Sequence, residues 1–365
     1  MISISKTQSV HATEGIKYAG SKLKILPYIL ETVSSLDVND VLDGFAGTTR
    51  VSQALAKSGY NTTSNDISEW SEVFGTCYLK STRRDKFYKE IIDYLNNLQG
   101  VDGWFTKHYG AEATDSKKPF QRKNTLKLDA IRSEIEKLNL EWEDKCVILT
   151  SLILALDKVD STLGHFSAYL AKWSPRSFND LTLKLPRRFP IISQNEVIKG
   201  DIFDTIGKRK FDFVYLDPPY GSNNEKMPPS RVRYASYYHI WKTVILNDQP
   251  ELFGVANRRE DSRDRVTASV FEEFRKDENE QFIALKALER LIKTTHSRYI
   301  LLSYSSGGRA TKEELYEILQ SSGKLLQVLE LNHQKNIMAQ MRWTNEWINS
   351  DGGHKEYLFL LEKSL

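Results

Sequence analysis

With 365 residues, 40% of them hydrophobic, the chain is long enough for one large domain carrying an insertion or for two modest domains, with ample material for a core. Its 51 lysines and arginines nearly cancel its 48 aspartates and glutamates, so a net charge of +3 excludes a global field as the means of holding nucleic acid; any basic surface must be local. The two cysteines, Cys77 and Cys146, are too isolated for a disulfide framework or a zinc site, and no run approaches the ~20 apolar residues of a membrane span.

The N-terminal stretch MISISKTQSVHATEGIKY lacks the apolar core of a signal peptide, so a soluble, cytoplasmic protein is expected. To about Gly15 the chain reads as a polar, loosely held arm. Leu23, Leu26, Ile29, Leu30 and Val33 then recur at helical spacing, with Ser21 placed as a cap, which puts Tyr18 to Lys22 at a helix N-terminus. A short strand, Asp40 to Asp43, runs into Gly44-Phe45-Ala46-Gly47 and a helix with Val51, Ala54 and Leu55 on its apolar face and Gly59 at its end. A second strand ends at Asp66, about 20 residues beyond the glycine turn, where nucleotide-binding α/β folds place an acid on ribose hydroxyls; an ordinary turn acid fits the position equally well.

The next strand appears only at Glu196 to Gly200, followed by Asp201, which carries the same ambiguity as Asp66. The interval exceeds a simple βαβ unit, so residues 81–195 are read as an insert. It begins with three helices, the third (WEDKCVILTSLILALDKVD) apolar enough to be buried, and continues as the loop-rich STLGHFSAYLAKWSPRSFNDLTLKLPRR. Lys117, Lys118, Arg122, Lys123, Lys172, Arg176, Lys184, Arg187 and Arg188 are interleaved with Phe120, Tyr169, Trp173 and Phe178. Each cluster alone suits a solvated face; their recurrence favours a surface for backbone phosphates.

Phe211 to Leu216 is nearly all apolar, as in a strand buried on both faces of a parallel sheet. It stops at Asp217-Pro218-Pro219-Tyr220, a stiff turn lacking two backbone donors and placed where open α/β sheets bind ligands. An exocyclic amine on an aromatic base is a poor nucleophile because its lone pair is delocalised. Acceptors around its N–H bonds, the Asp217 carboxylate and the Pro218 carbonyl, favour a tetrahedral nitrogen that can attack, and Tyr220 can stack on the base. The glycine turn lacks both G-x-G-x-x-G and G-K-[ST], so it suits a nucleoside-type cofactor without phosphates. Beyond Tyr220, SNNEKMPPSRVRYASYYHIWKTVI opens as a mobile loop and NRREDSRDR as a charged one. Tyr237 and Tyr238 suit either closure over a base or core packing, while His165 and His239 suit ordinary polar contacts. The α/β rhythm then resumes with ENEQFIALKALERLIKTTH, RYILLSYSS, KEELYEILQSSG, LLQVLELN and KEYLFLLEK.

DPPY, preceded by Lys17-Tyr18-Ala19-Gly20-Ser21-Lys22 and Asp43-Gly44-Phe45-Ala46-Gly47 in that order, resembles the Dam-like (D12, alpha-class) DNA adenine N6-methyltransferases. The resemblance implies an α/β fold, a Rossmann-like, mostly parallel methyltransferase sheet formed by residues 1–80 and 196–365. The mainly helical insert 81–195 would be the target-recognition domain. It implies S-adenosylmethionine as cofactor, with Tyr18, Lys22, Asp43, Gly44, Phe45, Ala46, Gly47 and Asp66 along its methionine and ribose ends and Asp201 and Ile202 near its adenine. Asp217, Pro218, Pro219 and Tyr220 would be catalytic, with no metal required. The implied partner is double-stranded DNA, the adenine flipped out of its stack. A cognate restriction endonuclease is a candidate partner, and the chain is expected to act as a monomer. An RNA adenine methyltransferase and a catalytically silent nucleic-acid-binding module are the alternatives. A cytosine ring-carbon enzyme is disfavoured, because neither cysteine stands beside a proline.

Overall fold

The computed structural model describes residues 12–115, 118–221, 233–263, 269–332 and 355–363. Seven strands form one sheet: β1 (Asp40–Asp43), β2 (Asn61–Asp66), β3 (Glu196–Lys199), β4 (Phe211–Leu216), β5 (Ser297–Ser305), β6 (Lys324–Asn332) and β7 (Lys355–Glu362). Their order is β6-β7-β5-β4-β1-β2-β3. The run from β3 to β5 is parallel, and β7 lies antiparallel to both β5 and β6. After β1 the chain steps to β2 on one side and later to β4 on the other. The crevice between the ends of β1 and β4 is therefore a topological switch point, and both the glycine turn and DPPY emerge there.

Alternation along the strands builds a core on each face. Phe213 and Tyr215 of β4 pack with Val41 against α1 (Leu26–Ser34) and α2 (Arg50–Lys57), through Ile29, Val33, Ala54 and Leu55. Val214 and Leu216 point to the other face, with Leu42, and meet Leu288 and Leu291 of the helix Ile283–Thr294 and Leu315 of the helix Lys312–Gln320.

Two expectations for the N-terminal region do not hold. Ser21 makes no capping hydrogen bond: a 3-10 turn, Lys22–Lys24, precedes α1 instead. From residue 12 onward the arm is not loose either. Thr13 and Ile16 are buried, Gln53 exchanges hydrogen bonds with the Glu14 backbone at 3.0 and 2.8 Å, and Arg50 donates to the carbonyls of Thr13 and Gly15. Gly59 ends α2 as expected, at φ +92°.

A third core joins α3 (Glu69–Gly75), α4 (Asp85–Asn96), α5 (Trp104–Tyr109), α6 (Arg122–Lys137) and α7 (Trp142–Val159). Cys146 through Leu156 of α7 are buried without a break, so this helix is enclosed all round. The same core takes in Trp70, Phe74 and Tyr78 from before residue 81, and Ile240, Trp241 and Val244 of the helix His239–Leu246 from after residue 195. Buried Arg132 of α6 seals the join by donating to the last carbonyls of that helix, Val244 at 2.6 Å and Ile245 at 3.0 Å. Part of the expected charged loop is ordered: Arg258–Arg259 pairs with Leu252–Phe253 as a small antiparallel ladder, tied to α5 by the hydrogen bond from the Tyr109 hydroxyl to Asn257 O at 3.1 Å. The segment expected to be mobile lies outside the described residues from 222 to 232. No helix among the described residues is long and apolar enough to cross a membrane.

Candidate active site

The glycine turn is shaped by close approach. Gly44 donates its N–H to Tyr215 O at 2.9 Å, joining the turn to β4, and a Cβ there would meet Ile202 Cδ1 and Leu216 Cδ2 at 3.0 Å. Gly47 has φ +52°, and a Cβ on it would stand 3.1 Å from Tyr18 Cε1. Tyr18 therefore lies over the turn. It is stacked in turn on Tyr238, at 4.5 Å between centroids, and on Tyr234 at 5.3 Å. Tyr238 is wholly buried and its hydroxyl accepts the Ala19 N–H at 2.7 Å, so it supports Tyr18 from within the core and has no free face for a base. Tyr237 stacks on His165 at 4.3 Å.

Two carboxyls, Asp43 and Asp66, flank the glycine turn, while Asp201 is exposed beyond β3. Asp43 is 1% exposed; its Oδ2 accepts from the Ser52 amide at 3.0 Å and hydroxyl at 2.6 Å, while its Oδ1 is buried without a partner. Burial pushes this carboxyl up to about 7 against the Ser52 hydrogen bonds, and the charges of Asp217 and Asp66 add to the rise. Asp66 is raised by burial, although it accepts from Gly47 N–H at 2.8 Å and from Ser68. Asp201 caps the short helix Ile202–Ile206 by accepting from Phe203 N–H at 2.8 Å, with Ile202 buried against the glycine turn.

Asp217 sits in a buried polar knot. Lys22 Nζ lies 3.0 Å from its Oδ1 and 2.8 Å from Glu356 Oε1, and donates to the Tyr220 hydroxyl. The Tyr220 hydroxyl is 2.6 Å from Asp217 Oδ1 and 2.7 Å from Glu356 Oε1. Burial pushes Asp217 up to about 6, opposed by Lys22 and reinforced by Glu356. Burial would also raise Glu356, but Lys22 and three hydrogen bonds bring it below its usual range. Burial would lower Lys22, yet the two carboxylates hold it above the ordinary lysine value. The backbone of Tyr220 is fixed by Arg309 N–H at 2.7 Å and the Tyr304 hydroxyl at 3.1 Å, both donating to its carbonyl. The fold thus gathers Tyr18, Lys22, Asp43, Phe45, Asp66, Ile202, Asp217 to Tyr220 and Glu356 around one crevice, from segments as far apart as the 3-10 turn before α1 and strand β7.

The profile of the D12 class N6 adenine-specific DNA methyltransferases matches residues 18–318, which contain every one of the sequence-derived site residues. The chain belongs to this family. Among similar proteins, the modification methylase StsI of Streptococcus sanguinis is 31% identical over 324 residues, covering 84% of this chain and 46% of its own length. Type II methyltransferase M.NlaIII of Neisseria lactamica is 26% identical over 363 residues, covering 96% and 100% respectively. Type II methyltransferase M.CviAII of Paramecium bursaria Chlorella virus 1 is 26% identical over 360 residues, covering 95% and 98%. The chain thus spans about half the length of the StsI protein and nearly all of the other two.

Within this D12 fold, five of the eight described basic residues singled out for a phosphate surface are ion-paired inside the chain. Arg122 pairs with Asp102, Lys123 with Asp180, Arg176 with Asp160, Arg187 with Glu14 and Arg188 with Asp85. Lys118 donates to His108 O. Of the basic residues singled out, Lys172 and Lys184 have no ion-pair partner among the described residues, and Lys117 lies outside them. Phe120 is buried in the insert core, whereas Phe178 is exposed. Both cysteines are buried, and burial pushes the Cys77 thiol up to about 12, leaving it inert. His239 is fully buried beside Phe166 O at 3.2 Å and kept neutral down to about 3 by desolvation. Glu356 and Tyr234 escaped the sequence reading.

Proposed function

We propose that this chain transfers the methyl group of S-adenosylmethionine to the N6 amine of an adenine flipped out of duplex DNA, at a specific site, as the modification arm of a restriction-modification system. The observation that carries this reading is the placement of Asp217 and Tyr220 at the carboxyl end of β4, one strand from a glycine turn roofed by Tyr18. The crevice fits the cofactor chemically. Gly44 and Gly47 let Ile202, Leu216 and Tyr18 close on the bare turn, and the unpartnered Asp43 Oδ1, with Asp66 beside it, offers acceptors to hydroxyl and ammonium groups. Bound there, S-adenosylmethionine supplies a methyl already activated on a sulfonium.

The chain's own part is orientation and hydrogen bonding. Asp217, ionised above about pH 6, accepts from the adenine amine and draws its lone pair out of the ring. An amine that had gained a methyl group would carry one proton too many, and Asp217 or water would take it. Tyr220 stacks on the base and Tyr18 covers the cofactor. Residues 81–195 hold the duplex as the target-recognition region, and Lys172, Lys184 and the exposed Phe178 belong to its DNA-facing surface. The chain works as a monomer in the cytoplasm, alongside a cognate endonuclease.

Incubating the protein with labelled cofactor and either duplex DNA or ribosomal RNA tests the reading: label should enter adenine in DNA only. Sequencing DNA from expressing cells with modified-base detection should show one methylated motif, and Asp217→Ala should abolish it with the fold retained, a loss of at least ~10²-fold. Label in RNA alone, or full activity in Asp217→Ala, would sink it.

A further inference from the structure

The catalytic acid does not have its lysine to itself. Lys22 bridges Asp217 and a second buried carboxylate, Glu356, whose side chain is 5% exposed and which lies beyond the matched family span. Glu356 Oε1 also takes the Ser303 hydroxyl at 2.7 Å from the adjacent strand β5, and stands 2.7 Å from the Tyr220 hydroxyl. That hydroxyl has one proton for two carboxylates, so Asp217 and Glu356 compete both for it and for Lys22. Every contact to Asp217 within this knot falls on Oδ1, which leaves Oδ2 without a donor among the described residues.

We propose that Glu356 is a positioning residue for methyl transfer: by sharing the Lys22 charge and the Tyr220 proton, it keeps Asp217 a strong acceptor for the target amine and holds Tyr220 in register for stacking. This rests on the functional reading above. Without Glu356, Lys22 would neutralise Asp217 alone and Tyr220 would donate only to it, so the acceptor would weaken even as its negative charge became easier to hold. The groups that face Asp217 are Lys22 from the 3-10 turn, Asp43 at the end of β1, Tyr215 and Tyr220 from β4 and its turn, Tyr234, and Glu356 from β7. Of these, Glu356 is the one carboxylate in direct contact with both Lys22 and Tyr220.

The test uses the full chain and Glu356→Gln. Carbon-13 NMR of labelled aspartate carboxyls, with the Asp217 signal assigned by its loss in Asp217→Asn, should give a midpoint near 6 in the wild type and a lower one in Glu356→Gln, because a neighbouring negative charge has gone. Single-turnover methylation of duplex DNA at saturating cofactor should fall about tenfold at pH 7.5, with its acid limb moved to lower pH in the same direction as the NMR midpoint. Glu356→Asp should restore both in part, and Ser303→Ala should shift both in the same direction by less. A Glu356→Gln protein with unchanged rate and midpoint overturns the proposal. So does a loss of rate at all pH values with an unmoved midpoint, which would mark Glu356 as merely structural. The carboxyl titration does not depend on turnover: a wild type that methylates no DNA while showing the coupled midpoints defeats the functional reading and leaves the coupling standing. Should Glu356→Gln not fold, Ser303→Ala decides by the same two measurements.

Discussion

Replacing Asp43 by asparagine should make the protein more stable at alkaline pH while damaging its cofactor site. A carboxyl whose folded value is about 7, against 3.8 in the unfolded chain, binds its proton more tightly in the native state. It therefore costs nothing below pH 3.8, penalises folding increasingly as the pH rises towards 7, and costs a constant amount beyond. At 1.36 kcal/mol per tenfold change in proton affinity, that constant is about 4 kcal/mol, and the penalty at pH 5 is about 1.6 kcal/mol. At 1% exposure the side chain receives little relief from solvent. Asparagine removes the charge and can still accept from Ser52, but it places an amide N–H₂ where the unpartnered Oδ1 lies, which costs about 2 kcal/mol. The net expectation is a gain of about 2 kcal/mol at pH 8 and about none at pH 5. Urea unfolding at the two pH values, with equal slopes in denaturant, measures it directly. A loss of stability at pH 8, or a gain equal at both pH values, would refute the assignment of Asp43 as a strained buried charge. Cofactor titration should show about tenfold weaker binding in the same variant, the trade expected when a site is built from groups the fold would rather not bury.

Two further outcomes follow from the same crevice. Lys22→Ala leaves Asp217 and Glu356 buried without their shared cation. Unfolding should show a loss of about 3 kcal/mol at pH 8 and less at pH 5, where the carboxyls can take up protons. Calorimetry should show weaker cofactor binding, and an unchanged dissociation constant would count against Lys22 as part of that site. Gly47→Ala must adopt φ +52°, costing about 1 kcal/mol, and must push Tyr18 from above the turn; cofactor affinity should fall about tenfold, and an unaltered affinity would mean that Tyr18 does not cover the cofactor.

Much of this site is legible in the sequence because it is built from local patterns. The apolar run Phe211 to Leu216 and the two prolines after it define a buried strand and its end by themselves. The acids at positions 43, 66 and 201 each close a strand, as expected where strand ends line a crevice. Asp66 and Asp201 also accept hydrogen bonds from nearby backbone N–H groups, Gly47 and Phe203, so turn and cap duties coexist with any role toward a ligand. Glu356 could not be read in the same way. Its importance lies in a contact with Lys22 from the other end of the chain, and no periodicity within KEYLFLLEK announces a buried acid. The basic stretches could be read only in part for a related reason: charge is visible in sequence, but the acids that pair with Arg122, Arg176 and Arg188 are set opposite them only by the fold. Tyr238 stayed open between two readings, since whether an aromatic ring meets a base or a neighbouring ring is settled by packing.

The core that runs from Trp70 through α7 to Val244 bears on how such enzymes can be re-engineered and how they diversify. A recognition region bounded by a linker could be exchanged as a cassette. Here a graft cut at residues 81 and 195 would leave Trp241 facing a foreign surface and strip the Val244 and Ile245 carbonyls of the Arg132 that caps them. Chimeras should survive only when the stretch around 234–263 travels with the insert, so that two separate blocks of the gene are inherited together. Drift in one block would then be answered by compensating change in the other, leaving paired substitutions as the historical record of a shared interior.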